Sequence, residues 1–348
     1  MLIKSIDLKE FRSYHRLHVE LGPNLNIIIG ENGIGKTNIL ESLTVVSNTK
    51  SFRTNNDQEL IHEGEEYSRI EVEADGNKYR VIINENGKAL FINQTSIKKS
   101  SDFIGKLNVI LFQPSDLEIF GTSPRVRRRL IDLELTKTSK DYLIALATYN
   151  KLVKEKNNLL KNEKIDEILL ETLNERLVEP IMQIIRGREV FIDFINHYID
   201  DYFKKLSNTN YTIRIEYKKA CEANYEAIKD MLVKNYQKDI LYRCSMAGPH
   251  KDDMVFYFDE HEIVNYASQG QKRMTVIAFK LSLIQYIIKK INTTPVLLLD
   301  DILSELDLLN KERMLNMIPP GVQTIITSTD VNGIKLKNDY RLFNLKKG

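Results

Sequence analysis

Cysteine is almost absent from this chain. Its 348 residues hold two, Cys221 and Cys244, and their wide separation makes no metal or redox spacing. That scarcity fits a reducing cytosol, so a cytoplasmic location is expected. Long apolar runs are missing as well. The longest, such as "NVILF" and "PVLLL", fall far short of the roughly 20 residues of a membrane helix, so no membrane partner is expected. The N-terminal "MLIKSIDLKEF" scatters charges and has no continuous apolar core, which argues against a signal peptide. Nor does one sign of charge dominate: 50 Lys and Arg face 48 Asp and Glu, for a net charge of +2. Bulk attraction of a polyanion is thereby excluded, and any nucleic-acid binding has to come from a local patch. Between 125 and 206 glycine vanishes except for Gly187. Internal repeats and low-complexity segments are lacking throughout.

What is present is the composition of a soluble globular protein, 42% hydrophobic and 28% charged, long enough for two ordinary domains. The first third reads as β with one helix. "LIKSIDL", "LHVELG" and "LNIIIG" are short strands, and a helix follows Thr37. Residues 68–95 alternate apolar and polar around two hairpin signals, Asp75-Gly76 and Asn86-Gly87. "LNVILF" is a buried strand stopping at Gln113-Pro114. From about 125 to 206 apolar residues take helical spacing, as at Leu152, Leu159, Leu160, Ile165, Leu169, Leu173 and Leu177. A charged helical hairpin with "KNEK" at its tip is expected there. Pro180 should begin a new helix or kink the existing one. No sustained heptad predicts a long coiled coil. β structure returns from 211. The fold class expected is α/β: a head built from both chain ends, 1–125 and 245–348, with an inserted mainly helical arm at 126–244 that carries some β near its end.

"GENGIGKT", Gly30-Glu31-Asn32-Gly33-Ile34-Gly35-Lys36-Thr37, follows an apolar strand and precedes a helix, which is the setting of a phosphate loop. Its glycines let backbone N–H groups wrap a triphosphate, Lys36 adds a point charge, and Thr37 offers a hydroxyl to Mg²⁺. ATP and Mg²⁺ are the cofactors this predicts. "PVLLLDD" ends a second buried strand in Asp300, a candidate Mg²⁺ ligand, and Asp301, a candidate to orient or deprotonate the attacking water. Gln113, at another strand end, is placed to reach both Mg²⁺ and that water. Ser328 and Thr329 in "TSTD" are candidates to sense the γ-phosphate. Ser268, Gln269 and Gly270 stand at a helix start, where free N–H groups hold an anion. Ser268 lies more than two hundred positions after Lys36, and two helices aimed at one face of one triphosphate would collide. The arrangement makes sense if "SQGQ" meets the γ-phosphate held by another copy of the chain. "SPRVRRRL" clusters Arg125, Arg127, Arg128 and Arg129, either an ion-paired face or a phosphate contact to DNA. His250 is assigned no chemistry.

Phosphate loop, glutamine, S-x-G-Q signature, strand with acids and S-x-L-D, in that order, resemble the ABC-type ATPases. Within them, "FRSY" (11–14), "KSFRT" (50–54), "RRRLID" (127–132), "AGPHKDD" (247–253), "SQGQ" and "LLLDDILSELD" resemble the RecF family of bacterial recombination mediators. That resemblance runs over nearly the whole chain and is weakest across about 135–240. It implies an ATP-dependent homodimer whose nucleotide site also takes in Asp307 and Thr329. It further implies binding of duplex DNA beside a single-stranded gap, a RecR-type partner, help in loading the recombinase, and Arg12 facing nucleotide or DNA. Two departures from general ABC ATPases, Asp301 in place of a glutamate and Ser328/Thr329 in place of a switch histidine, imply slow hydrolysis. A transporter subunit would space loop and signature about a hundred residues apart. A structural chromosome-organising head would show long heptads.

Overall fold

The computed structural model describes residues 1–301, 306–330 and 340–345. In chain order the first elements are β1 (Ile3–Phe11), β2 (Tyr14–Glu20), β3 (Leu25–Ile29) and α1 (Lys36–Asn48). A run of strands follows: β4 (Tyr67–Ala74), β5 (Asn77–Asn84), β6 (Gly87–Ile92), β7 (Thr95–Ile97) and β8 (Val109–Phe112). Helices then take over as α2 (Pro124–Thr138), α3 (Lys140–Leu160) and α4 (Glu167–Ser207). Next come β9 (Ile213–Lys218), α5 (Tyr225–Tyr242), β10 (Asp253–Phe258), β11 (His261–Glu262) and α6 (Ile263–Tyr266). The chain closes with α7 (Gln269–Ile291), β12 (Val296–Asp300), α8 (Leu308–Asn316), β13 (Thr324–Ser328) and β14 (Tyr340–Asn344).

These elements form two compact units. One comprises Met1–Asp116, Tyr202–Thr209 and Arg273–Gly348; the other comprises Leu117–Asp201 and Asn210–Lys272. The chain therefore divides at 116/117 and 272/273, not at the 125/126 and 244/245 read from composition. Strand pairing explains the shift, because β10 hydrogen-bonds to β9 from Asp253↔Lys218 to Phe258↔Ile213 and so belongs with the helices.

The first unit has two sheets. Five parallel strands run in the order β14-β3-β13-β12-β8, and six antiparallel strands in the order β2-β1-β4-β5-β6-β7. Parallel strands covered on both faces need continuous apolar sequence, and Leu297, Leu298, Leu299, Ile325 and Ile326 are all fully buried. α1 packs against strands of both sheets, with Ile39, Leu40, Leu43 and Val46 in the common core. Buried Gln323 ties the sheets together: its amide accepts from Ile3 N–H at 2.8 Å and donates to the carbonyls of Ile3 and Gly22. In the meander, Asp75 and Gly76 both have positive φ and close the β4–β5 hairpin as expected. The second hairpin sits one residue earlier than predicted. Asn84 pairs with Gly87, so Glu85-Asn86 is the turn.

The second unit holds α2, α3, α5, most of α4 and the three-stranded sheet β11-β10-β9. α3 and α4 form the expected hairpin with 161–166 between them. Pro180 starts no new helix; α4 runs through it. The single glycine of this region has a reason: a Cβ on Gly187 would stand 2.6 Å from the Tyr142 ring. Among the described residues no helix is long and apolar enough to cross a membrane.

Candidate functional site

The motif residues of the first unit converge because parallel strands all end on one edge. Gly30 follows β3, Ser328 ends β13, Asp300 ends β12 and Gln113 follows β8, and these four strands are consecutive neighbours in the sheet. The registers fix the alignment: Ile29 faces Ser328, Thr327 faces Asp300, and Leu299 faces Phe112. The carboxyl ends of a parallel sheet are where open α/β folds bind ligands.

The loop 30–35 turns β3 into α1. Gly33 and Gly35 have φ of 82° and 107°, which a side chain would strain. Gly35 is the N-cap of α1 and offers no capping side chain, so the first N–H groups of the helix remain for an anion. Buried Lys36 folds its ammonium onto the loop, donating to the carbonyls of Gly30 at 2.6 Å and Glu31 at 3.0 Å. Glu31, Asn32 and Ile34 contribute backbone to the same turn, with Ile34 N–H donating to Glu31 O at 3.4 Å.

Thr37 and Asp300, two of the three expected Mg²⁺ ligands, touch. Thr37 Oγ1 donates to Asp300 Oδ1 at 3.0 Å, and the same oxygen accepts from Thr327 Oγ1 at 2.8 Å. Burial pushes the Asp300 carboxyl above its ordinary value, against the two hydroxyl bonds that favour the anion; Asp301 adds to the rise and the Arg53 guanidinium opposes it. A hydroxyl and a buried carboxylate are hard oxygen donors of the kind Mg²⁺ takes. Thr327 was not singled out from sequence, although it opens the "TSTD" string beside Ser328. Thr329 itself is exposed, and Ser328 Oγ accepts from Asp330 N–H at 3.4 Å.

Asp301 leaves β12 in the left-handed region, φ 50°, and its N–H donates to Thr327 O at 3.2 Å and Oγ1 at 3.1 Å. Gln113 is half-buried, and its N–H donates to Asp116 Oδ2 at 2.9 Å. Asp307 caps α8, accepting from Asn310 N–H at 2.8 Å, while Ser304 of the "SELD" string lies outside the described residues.

Glu41, on the helix that follows the loop, is a buried acid that sequence reading missed. It is fully buried, accepts from Arg12 Nε at 2.9 Å and Nη2 at 2.6 Å, and takes Ser51 Oγ at 2.6 Å and Arg53 Nη1 at 3.4 Å. Arg53 also donates to Asn38 Oδ1 at 2.9 Å. Arg12, expected to face nucleotide or DNA, is thus paired with Glu41 and with the carbonyl of Glu59 at 2.7 Å.

Residues 2–343 match the model of the family described as RecF/RecN/SMC N terminal domain. A "DNA replication and repair protein RecF" of Staphylococcus carnosus is 35% identical, covering 100% of this chain and 99% of its own. The chain belongs to the RecF family. A solved structure described as the recombination mediator protein RecF with ATP, in the RecFOR pathway, superposes with a TM-score of 0.89 at 30% identity. That match covers 96% of this chain and 93% of the other. The Smc head domain of Pyrococcus furiosus shares the fold at a TM-score of 0.55 and 20% identity, over 94% of this chain and 90% of its own.

Two strings of the RecF resemblance, "RRRLID" and "AGPHKDD", interlock in the second unit. Arg188, 2% exposed, grips Asp132 at 3.0 and 2.9 Å, and donates to Pro249 O at 2.8 Å and to Asp252 at 3.4 Å. Burial raises the Asp252 carboxyl, although Tyr217 donates to it at 2.5 Å. Of the two alternatives left open for the arginine cluster, Arg127 takes the ion-paired one. Its guanidinium is buried against Asp253 at 2.7 and 2.8 Å and donates to the carbonyls of Ile119 at 3.2 Å and Gly121 at 2.7 Å. Arg128 is half-buried and donates to Asp252 O at 2.5 Å. Arg125 and Arg129 are exposed. His250 is structural, held between the Tyr149 hydroxyl and Ser245 O at 3.0 Å, and burial lowers its pKa.

The signature of the RecF resemblance starts α7 with a reciprocal cap. Ser268 Oγ accepts from Gln271 N–H at 3.2 Å, and Gln271 Oε1 accepts from Ser268 N–H at 2.8 Å. Ser268, Gln269 and Gly270 are exposed, and a Cβ on Gly270 would meet nothing closer than Ser268 Oγ at 4.0 Å.

Proposed function

We propose that this chain is an ATP-dependent DNA-binding protein of recombinational repair, whose two copies close on ATP and part when it is hydrolysed. Loop 30–37 takes the triphosphate, and Ser268, Gln269 and Gly270 of a second copy meet the γ-phosphate. The convergence of Lys36, Thr37, Gln113 and Asp300 on neighbouring strand ends carries the reading. Exposure of the capped signature supports an action in trans, because nothing within its own unit covers it. The ATPase head of this reading takes in 1–125 and 245–348, with 126–244 as the inserted arm. Thr37, Gln113 and Asp300 would hold Mg²⁺, which when bound neutralises charge on the phosphate oxygens. Asp301 orients or deprotonates the attacking water, with Thr329 and Asp307 beside the nucleotide. Asp301 is one methylene shorter than a glutamate, which favours a slow ATPase used as a switch. DNA stimulation, a preference for duplex beside a single-stranded gap, a RecR-type partner and help in recombinase loading complete the proposal. Arg125 and Arg129 are the DNA contacts it assigns.

Sedimentation with and without ATP and gapped duplex tests this reading. The wild-type chain should double its mass on ATP. Ser268→Arg should stay monomeric with ATP bound, because a bulky cation replaces the hydroxyl at the meeting face. A mutant that dimerises normally would refute the assignment in trans.

A further inference from the structure

Tyr14, at the start of β2, brings a hydroxyl to the phosphate loop that no contact among the described residues explains. The β1–β2 turn lies against Gly35: a Cβ there would stand 2.7 Å from the Tyr14 hydroxyl and 2.9 Å from Ser13 Oγ. Ser13 Oγ is engaged, accepting from Asn38 Nδ2 at 2.9 Å. The Tyr14 hydroxyl oxygen is shielded from solvent and has no hydrogen-bond partner among the described residues. Burial raises this phenol to about 12, so it keeps its proton at neutral pH and has that proton to donate. Packing does not call for that oxygen, since phenylalanine would fill the ring's space without burying an unmet polar group. An unmet donor beside the N-cap of the helix that takes an anion points to an acceptor supplied by the ligand. We propose that Tyr14 is a nucleotide-binding residue, its hydroxyl donating to an oxygen of the phosphate chain held by loop 30–37. The proposal rests on the reading of that loop as a nucleotide site.

Removing the hydroxyl has opposite consequences in the two states, which makes the proposal separable from a packing role. Tyr14→Phe without nucleotide should melt at the wild-type temperature or above it, because an unmet buried hydroxyl is gone. Titrated calorimetrically with ATP and Mg²⁺, the same variant should bind about tenfold more weakly or worse, as expected for a lost hydrogen bond to a charged acceptor. Wild type and Lys36→Ala, run alongside, distinguish the two levels of failure. If wild type binds no ATP, the loop reading falls and takes this inference with it. If wild type binds ATP, Lys36→Ala does not, and Tyr14→Phe binds within twofold of wild type, the inference alone is overturned. A lower melting temperature of nucleotide-free Tyr14→Phe would also overturn it, by showing that the hydroxyl already has a partner.

Discussion

Replacing Arg127 by alanine should cost the helical unit about 3 kcal/mol, whereas removing its exposed neighbours should cost almost nothing. The guanidinium makes four bonds, two to the Asp253 carboxylate and two to carbonyls. Deleting one partner of a buried ion pair typically costs about 3–5 kcal/mol, because the other charge stays behind. Asp253 retains 21% side-chain exposure, so water recovers part of its solvation and the lower end applies. For a unit of roughly 150 residues, about 3 kcal/mol corresponds to a fall in melting temperature of about 6–12 °C. Arg125→Ala and Arg129→Ala should stay within about 0.5 kcal/mol of wild type. Each phosphate contact they remove should instead lower the slope of log affinity for duplex DNA against log salt by about 0.9. Differential scanning calorimetry and a salt series of DNA titrations read the two effects separately. An Arg127→Ala protein as stable as wild type, or one whose salt slope alone changes, would refute the division of the cluster.

Two further outcomes follow from the paired acids. Asp301→Asn keeps shape but loses basicity, so ATP should still close the dimer while hydrolysis drops about 10²–10⁴-fold; DNA release after dilution of ATP checks it, and faster release would reverse the roles of the two acids. Asp300 is held above its ordinary 3.8 by burial, so the stability it contributes is full below that value and is lost as the pH rises through the raised one. Nucleotide-free Asp300→Asn should therefore melt no lower than wild type at pH 7, where the amide oxygen still accepts from Thr37 and Thr327. Added Mg²⁺ and ATP should stabilise it far less, and in wild type that stabilisation should fade on acidification from a pH above 3.8. A clear loss of melting temperature at pH 7 without nucleotide would contradict the desolvation argument.

The phosphate loop and the strand ends were legible because each is a local event. An apolar run that stops at Gly30, Gln113 or Asp300 announces both the strand and the edge on which it ends. Partnerships across the chain were not legible. Glu41 sits mid-helix, where an acid ordinarily reads as a solvated face, and its burial depends on Arg12 from the β1–β2 turn and Arg53 from the segment after α1. Four arginines in five residues read as one patch, yet the one at position 127 meets a carboxylate 126 residues later. The compact-unit boundary at 272/273 was hidden for the same reason. Residues 245–272 look like returning β of the head, but their strand β10 pairs with β9 of the other unit.

Gln113 shows why these distant pairings matter to the chemistry proposed. A glutamine side chain has three rotatable bonds, and a turn after a strand end would leave it loosely aimed. Here the turn is pinned from two sides. Asp116 Oδ2 takes the Gln113 N–H, and Asp116 Oδ1 takes Lys280 Nζ from α7 at 3.1 Å. Lys280 also donates to Leu111 O at 2.6 Å, inside β8 itself. Both charges of the pair are nearly buried, at 5% and 9% exposure, where an unpartnered ammonium would not be tolerated. Burying that pair is expensive, and an apolar contact would pack α7 on the strand equally well. What the ion pair adds is a fixed direction for one backbone N–H, and with it for the residue that follows the strand. Glu41 acts in the same way on the helix that carries Thr37, fixing Arg12 and Arg53 around it. A switch that has to distinguish the presence of one phosphate group needs its ligands held before the nucleotide arrives, and buried charges supply that rigidity where loops alone cannot.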